Sequence, residues 1–202
     1  MRPLYIFIVT LIIGFSSNAQ TNSSDDLEPY DYDTTLIGGY KISFQADDSL
    51  QYLYLKKGNK IITELASTSR GMLYKNLGYV GADFNGYFVL VHSFGSGNPH
   101  YIELIQKKTG DNLLKDGVAW IGVDTIKQIL LFSKNDVPNE TDKMTLFDIR
   151  TMKQKDYPFP KEIFDEPEKL NRIELINVTD KTFTIKYTYK DWTITKKKTY
   201  SR

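Results

Sequence analysis

From residue 40 onwards, apolar and polar residues alternate along much of the chain. In residues 183–190, Phe, Ile and two Tyr occupy every second position, with Thr and Lys between them. A period of two puts one set of side chains on the packed face of a sheet and the other set in water. Residues 87–91 and 129–132 are apolar throughout, which is typical of strands buried on both faces. The pattern therefore predicts an all-β fold.

A helical period is scarce. The one helix candidate spans residues 161–170, and Pro167 lies within it. Proline removes a backbone hydrogen bond and clashes with the preceding turn, so we expect one or two turns at most in this segment.

Similar stretches recur along the chain. Residues 79–83 read Tyr-Val-Gly-Ala-Asp and residues 120–124 read Trp-Ile-Gly-Val-Asp, and both precede a further apolar strand. Weaker copies begin at Phe44 and Leu175. The spacing predicts about four β-meander units with a period of about 41 residues, which is in the range of propeller blades. We therefore expect a repeated antiparallel meander with a propeller-like arrangement, and the alternative is a two-sheet β-sandwich.

Each copy leads into a turn with an aspartate. A carboxylate at the start of a turn can accept hydrogen bonds from the N–H groups that follow it. We therefore predict this structural role, with no part in catalysis, for four residues: Asp47, Asp83, Asp124 and Asp180.

The N-terminal residues have the pattern of a secretory signal peptide. Arg2 precedes an apolar run over residues 4–15, and small residues follow at Ser17 and Ala19. This order predicts cleavage after Ala19 and a secreted or periplasmic protein. We expect residues 20–39 to form a flexible, polar and acidic segment, and 40–202 to form a single all-β domain. No later run is long enough to predict a membrane span in the mature chain.

Composition excludes several kinds of site. Lys and Arg total 26 and Asp and Glu total 25, a balance that argues against nucleic acid as a partner. The chain has no Cys and only two His, which excludes thiolate and all-histidine metal sites as well as a cysteine nucleophile. We expect neither a metal nor another cofactor.

The loop at residues 93–100 has the most unusual composition, with two Gly, Pro99 and His100. We predict that Ser96, Asn98 and His100 bind a ligand, because loops on rigid sheets often carry recognition. Ser96 and His100 lack the Gly-x-Ser-x-Gly pattern and an identifiable orienting acid, so no catalytic residue is predicted. His92, within an apolar strand, is interpreted as a packed histidine with one hydrogen bond.

Three other stretches allow two interpretations each. The carboxylates at residues 165–168 suggest a glycoside hydrolase pair or, as we expect, a solvated loop. Tyr157 and Phe159 form a surface patch for a partner or cover a sheet edge. Lys196, Lys197 and Lys198 protect an edge strand from pairing with another chain or bind an anionic partner.

These observations favour a non-enzymatic binding module for a protein or glycan of the cell envelope. The alternative is a small secreted hydrolase whose site is built from carboxylates on several loops. A perturbed carboxyl pair in a pocket would favour the enzyme.

Overall fold

The computed structural model describes residues 33–70, 77–95, 98–114, 118–134, 143–166 and 168–202. These residues form fourteen β-strands and two short 3₁₀ helices, so the prediction of an all-β fold is confirmed. The strands are β1 (Thr34–Leu36), β2 (Tyr40–Ala46), β3 (Leu50–Lys57), β4 (Lys60–Ser69), β5 (Tyr79–Asp83), β6 (Tyr87–His92), β7 (Tyr101–Gln106), β8 (Val118–Asp124), β9 (Ile129–Lys134), β10 (Lys143–Asp148), β11 (Lys153–Pro158), β12 (Ile173–Val178), β13 (Thr182–Tyr189) and β14 (Ile194–Ser201).

The described strands lie in three antiparallel sheets. The first contains β1 to β4, the second β5 to β11 and the third β12 to β14. Within each sheet every strand pairs with its neighbour in sequence, which confirms the antiparallel meander. Closure into a propeller and the sandwich alternative stay predictions.

The first sheet begins earlier than the domain boundary predicted at residue 40. Thr34–Leu36 pairs with β2, with Thr34 opposite Ile42, and Leu36 is 3% exposed. Burial of Leu36 in the core gives this short strand a reason to form despite its polar surroundings. The predicted signal peptide and residues 20–32 lie outside the described residues.

Strands β6 and β9 of the second sheet are buried on both faces, whereas its edge strand β11 is largely exposed. On one face, Phe88 and Leu90 pack against Leu53 and Leu55 of the first sheet. Further along the same sheet, a different group of residues, among them Leu131, packs against the third sheet. The apolar runs in β6 and β9 are therefore interior strands, as their composition predicts.

A close approach between two sheets explains one glycine of the repeated pattern. A Cβ atom at Gly122 in β8 would lie 2.6 Å from Leu175 Cβ in β12. Real side chains do not approach this closely, so only glycine fits here without displacing β12. Gly122 thus lets the third sheet pack directly on the second.

The predicted role in a turn is confirmed for two of the four aspartates. Asp47 accepts hydrogen bonds from the N–H groups of Ser49 and Leu50, and Asp124 accepts one from Lys127. The prediction is wrong for the other two. Asp83 accepts from the N–H of Ile37. In the last copy Thr179, not Asp180, receives the turn hydrogen bonds.

Two predicted segments differ in detail from their patterns. The helix candidate forms 3₁₀ helices at Lys161–Ile163 and Lys169–Arg172, within the one or two turns expected. At residues 190–195 the pattern suggests a tight turn at Lys190-Asp191 and a strand from Trp192, but the strand begins at Ile194. The preceding residues form a turn, because Lys190, Asp191 and Trp192 have left-handed backbones that a strand cannot contain.

Candidate functional site at the Trp192 turn

The predicted ligand-binding loop is only partly within the described residues. Ser96 lies outside them. Asn98 folds back on its own turn, because its backbone N–H and its side-chain amide both donate to the Gly95 carbonyl, at 3.1 and 3.0 Å. His100 is exposed and its Nδ1 lies 3.4 Å from the Tyr79 hydroxyl. Asn98 and His100 thus have different partners, and ligand binding by this loop stays a prediction.

The contact and the burial of His92 agree with its interpretation as a packed histidine. Its Nε2 lies 2.9 Å from Glu103 Oε1, and its side chain is 13% exposed. The imidazole is therefore held by a neighbouring strand within the second sheet.

The acidic stretch at residues 165–168 is more than a solvated loop. Glu166 Oε2 accepts a hydrogen bond of 2.8 Å from Arg172, whose side chain is only 5% exposed. Glu166 Oε1 accepts a second, of 3.0 Å, from the N–H of Lys190. The expectation is therefore wrong for Glu166, because a buried guanidinium requires a charged partner. Pro167 lies outside the described residues.

The β13–β14 turn, residues 190–193, has a strained backbone. Lys190, Asp191 and Trp192 have φ angles of 51°, 52° and 67°. This left-handed conformation costs roughly 1–2 kcal/mol for each residue with a Cβ atom. Thr193 closes the turn by donating its N–H and its hydroxyl to the Lys190 carbonyl. We call residues 190–193 the Trp192 turn.

The Trp192 turn presents its indole to solvent in a fixed orientation. Trp192 is 51% exposed, although large aromatic side chains are usually covered. The Arg172 guanidinium carbon lies 4.9 Å from the ring centre, a cation–π distance. Glu166 holds that guanidinium and the backbone of Lys190 together. One carboxylate therefore positions both the indole and the turn that carries it.

The sequence pattern predicts a tight turn at Lys190-Asp191, as observed, but it places Trp192 in the following strand, where alternate side chains are expected to pack. The available signal was the segment Lys190-Asp191-Trp192, a hairpin turn that carries an aromatic residue and lacks glycine. Such a turn uses left-handed residues, which a residue with a Cβ atom adopts at a steric cost that other contacts must offset.

Burial and position in the sheets test two other surface features that the sequence suggests. Tyr157 and Phe159 are 6% and 2% exposed and belong to the core between the second and third sheets, so the partner-patch alternative is wrong. Their rings pack inward because the third sheet covers this end of the second. Lys196, Lys197 and Lys198 lie on β14, which is an edge strand of its sheet, as the edge-protection interpretation requires.

Five carboxyls of the described residues have a lowered pKa. Hydrogen bonds from lysines or from backbone N–H groups lower the pKa of Asp33, Asp47, Glu162 and Asp180, and the effect of burial on the pKa of Asp148 is outweighed by hydrogen bonds from Arg150 and Thr151. A general acid needs a pKa shift in the opposite direction, so these five groups are unsuited to that role. The described residues contain no cluster of three or more His, Cys, Asp or Glu that could hold a metal ion.

Comparisons with protein-family models, curated proteins and solved structures return no match to this chain. The function is therefore inferred from the positions and contacts of the chain's own residues. Among the helices in the described part, none has the length and apolar character needed to cross a membrane.

Proposed function

We propose that the protein is a secreted or periplasmic, non-enzymatic binding module that recognises a glycan through Trp192. The observation that carries the proposal is a half-exposed indole on a strained turn, which packs on a buried guanidinium held by a partly buried carboxylate. Strained backbones persist only where surrounding contacts over-determine them, and they cluster at ligand sites. The signal-peptide pattern supports export to the envelope or beyond.

The surroundings of Trp192 favour a glycan over a protein partner. A sugar ring has an apolar C–H face that packs on an indole and hydroxyl groups that bond to charged side chains at its rim. Lys190 and Asp191, which precede Trp192 in the turn, are exposed and carry such groups, while the buried Arg172 stacks against the indole. Protein interfaces, in contrast, bury clusters of aromatic and apolar residues with few charges at their centre.

A small secreted hydrolase remains the alternative. Its best candidate was the acidic stretch that contains Glu166. Both oxygens of Glu166 already accept hydrogen bonds, from Arg172 and Lys190, and neither bond leaves the carboxylate free to attack or to protonate a substrate. The binding module is therefore the better-supported function.

The test is binding of the purified protein to insoluble envelope and cell-wall polysaccharides, namely peptidoglycan, cellulose and chitin. Trp192→Ala should weaken binding about tenfold or more, because an aromatic contact contributes up to about 1.5 kcal/mol beyond its buried area. Ile126→Ala is the matched control and should bind as the unaltered protein does, since Ile126 is 87% exposed and lies in the turn between β8 and β9. Phe94→Ala and His100→Ala test the predicted ligand-binding loop.

Each result has a defined meaning. Loss of binding in Trp192→Ala alone supports the proposed site. Loss in Phe94→Ala or His100→Ala, with Trp192→Ala unaffected, moves the site to the β6–β7 loop. If none of the polysaccharides retains the unaltered protein, glycan recognition is wrong, and a hydrolase screen on soluble oligosaccharides becomes the next experiment.

A further inference from the structure

A basic groove of about 400 Å³ lies away from the Trp192 turn, between the β3–β4 hairpin and the turn that follows β7. Three lysines line it, Lys57 and Lys60 from the hairpin and Lys108 from the turn. The remaining lining residues are apolar or carry hydroxyls, including Tyr40 and Ile61, and no carboxylate is among them. We call this feature the lysine groove.

The lysines of the groove lack the partners that surface lysines commonly find. Within the residues that the structure describes, none of the three lies within 4.0 Å of a carboxylate. Lys57 and Lys60 also lie directly opposite each other in the β3–β4 ladder. Like charges at directly opposed positions destabilise a sheet, so this hairpin carries a repulsion that an anion would relieve.

Lys107, next in sequence to Lys108, has the opposite environment. It is 1% exposed, forms an ion pair with Asp83 and donates a 2.9 Å hydrogen bond to the Ile37 carbonyl. Its charge is therefore compensated within the fold and anchors the turn to the first sheet. The uncompensated charge of Lys108 faces the groove from this anchored position.

The walls of the lysine groove are fixed by packing. Lys57 Nζ lies 4.6 Å from the centre of the Tyr40 ring, a cation–π contact between two residues that line the groove. A Cβ atom at Gly110, which has a φ of 83°, would lie 2.2 Å from Thr63 Cγ2. Only glycine lets the turn after β7 approach β4 this closely, so the two sides keep a set separation.

We infer that the lysine groove binds a tetrahedral oxyanion, a phosphate or sulfate group, with the attached organic part packed on Tyr40 and Ile61. Three ammonium groups supply more positive charge than one carboxylate can balance, whereas a phosphate monoester carries about −1.5 to −2 charges and three acceptor oxygens. The inference concerns a second site and does not depend on glycan binding at Trp192.

The experiment is a titration of the isotope-labelled protein with inorganic phosphate, sodium sulfate and sodium acetate, at constant ionic strength set with chloride. Phosphate or sulfate should shift the amide NMR signals of residues 57–60 and 108–109 saturably, and acetate should not. The phosphate and sulfate arms distinguish the two ligand sources. The Lys57→Gln, Lys60→Gln, Lys108→Gln triple variant should weaken binding by about tenfold for each lysine removed.

The matched control changes three exposed lysines that do not line the groove, Lys153→Gln, Lys181→Gln and Lys197→Gln, and so removes the same net charge. This control should bind as the unaltered protein does. Shifts that do not saturate, equal loss in both triple variants, or acetate binding as tight as phosphate would each overturn the inference. Lys108→Gln alone, on a turn outside the hairpin, repeats the test if the groove triple variant does not fold.

Discussion

Two hairpin turns of this molecule are stabilised in opposite ways. In the turn between β2 and β3, Asp47 Oδ1 accepts hydrogen bonds of 2.8 Å from the N–H groups of both Ser49 and Leu50, and Tyr52 donates to the other oxygen. In the Trp192 turn, three successive residues have left-handed backbones, and the N–H of Lys190 bonds to a carboxylate 24 residues away. The carboxylate that accepts from the first turn belongs to that turn, whereas the carboxylate that accepts from the second lies in a distant segment.

The difference separates a turn that only reverses the chain from a turn that presents a side chain. The Asp47 turn contains its own acceptor, so a local sequence is sufficient to form it. The Trp192 turn would relax to an easier conformation without Glu166 and Arg172. A fold that maintains such strain holds one exposed indole in one orientation, and four changes test this contrast.

The largest expected effect follows from removing the support of the Trp192 turn. Arg172→Met should destabilise the protein by about 3 kcal/mol or more, because it leaves the Glu166 carboxylate without its guanidinium partner in a largely buried site. Urea unfolding followed by circular dichroism measures this change. A loss below about 1 kcal/mol would mean that the pair does not hold the turn.

The next effect concerns the pH dependence of the Asp47 turn. Hydrogen bonds from the backbone N–H of Leu50, then that of Ser49, lower the pKa of Asp47 well below its ordinary value of 3.8. A lowered folded-state pKa gives stability that is present above pH 3.8 and is lost as the pH falls below it. Asp47→Asn should therefore lower Tm at pH 7 and reduce the fall in Tm between about pH 5 and pH 2.

Asp48→Asn is the matched control for the removal of one charge in the same turn. It should keep the acid-induced fall in Tm seen in the unaltered protein. An identical pH profile for Asp47→Asn and the unaltered protein would show that the Asp47 carboxylate contributes nothing to folding.

A smaller effect compares the same substitution in both turns. Asp191→Gly should stabilise the protein by up to about 1 kcal/mol, because glycine adopts the left-handed conformation without steric strain. Asp48→Gly should destabilise it by about 0.5–1 kcal/mol, since the backbone there needs no glycine. Thermal unfolding of both variants gives the two signs, and equal signs would refute the strain at residue 191.

The smallest expected effect concerns the β3–β4 hairpin, in which Lys57 and Lys60 lie directly opposite each other beside the turn. Lys60→Gln should stabilise the anion-free protein by a few tenths of a kcal/mol at low salt, because it removes the repulsion with Lys57. The gain should vanish near 1 M salt, where screening is strong. A gain that is unchanged by salt would exclude an electrostatic origin.

The sequence pattern correctly predicted those elements that depend on interactions between residues close together in the chain. The alternation of residues 183–190 identified β13, and the aspartates at positions 47 and 124 hold turns made of their immediate neighbours. Asp83 departed from that role because its partner Ile37 lies 46 residues away, in the turn between β1 and β2. The turn at Lys190-Asp191 was predicted, but its extension to Trp192 was missed for the same reason, since Glu166, which supports it, lies 24 residues away.

The sequential strand order also bears on how the chain reaches its native state. Every described strand pairing joins neighbours in sequence, so each pairing closes a short loop at a small entropic cost. The three sheets can therefore form one after another along the chain. Long-range contacts such as Lys107 to Ile37, 70 residues apart, belong to the docking of finished sheets. Contact order is therefore low for a β protein, which favours fast folding and lets a chain emerging from its N-terminus fold as it appears.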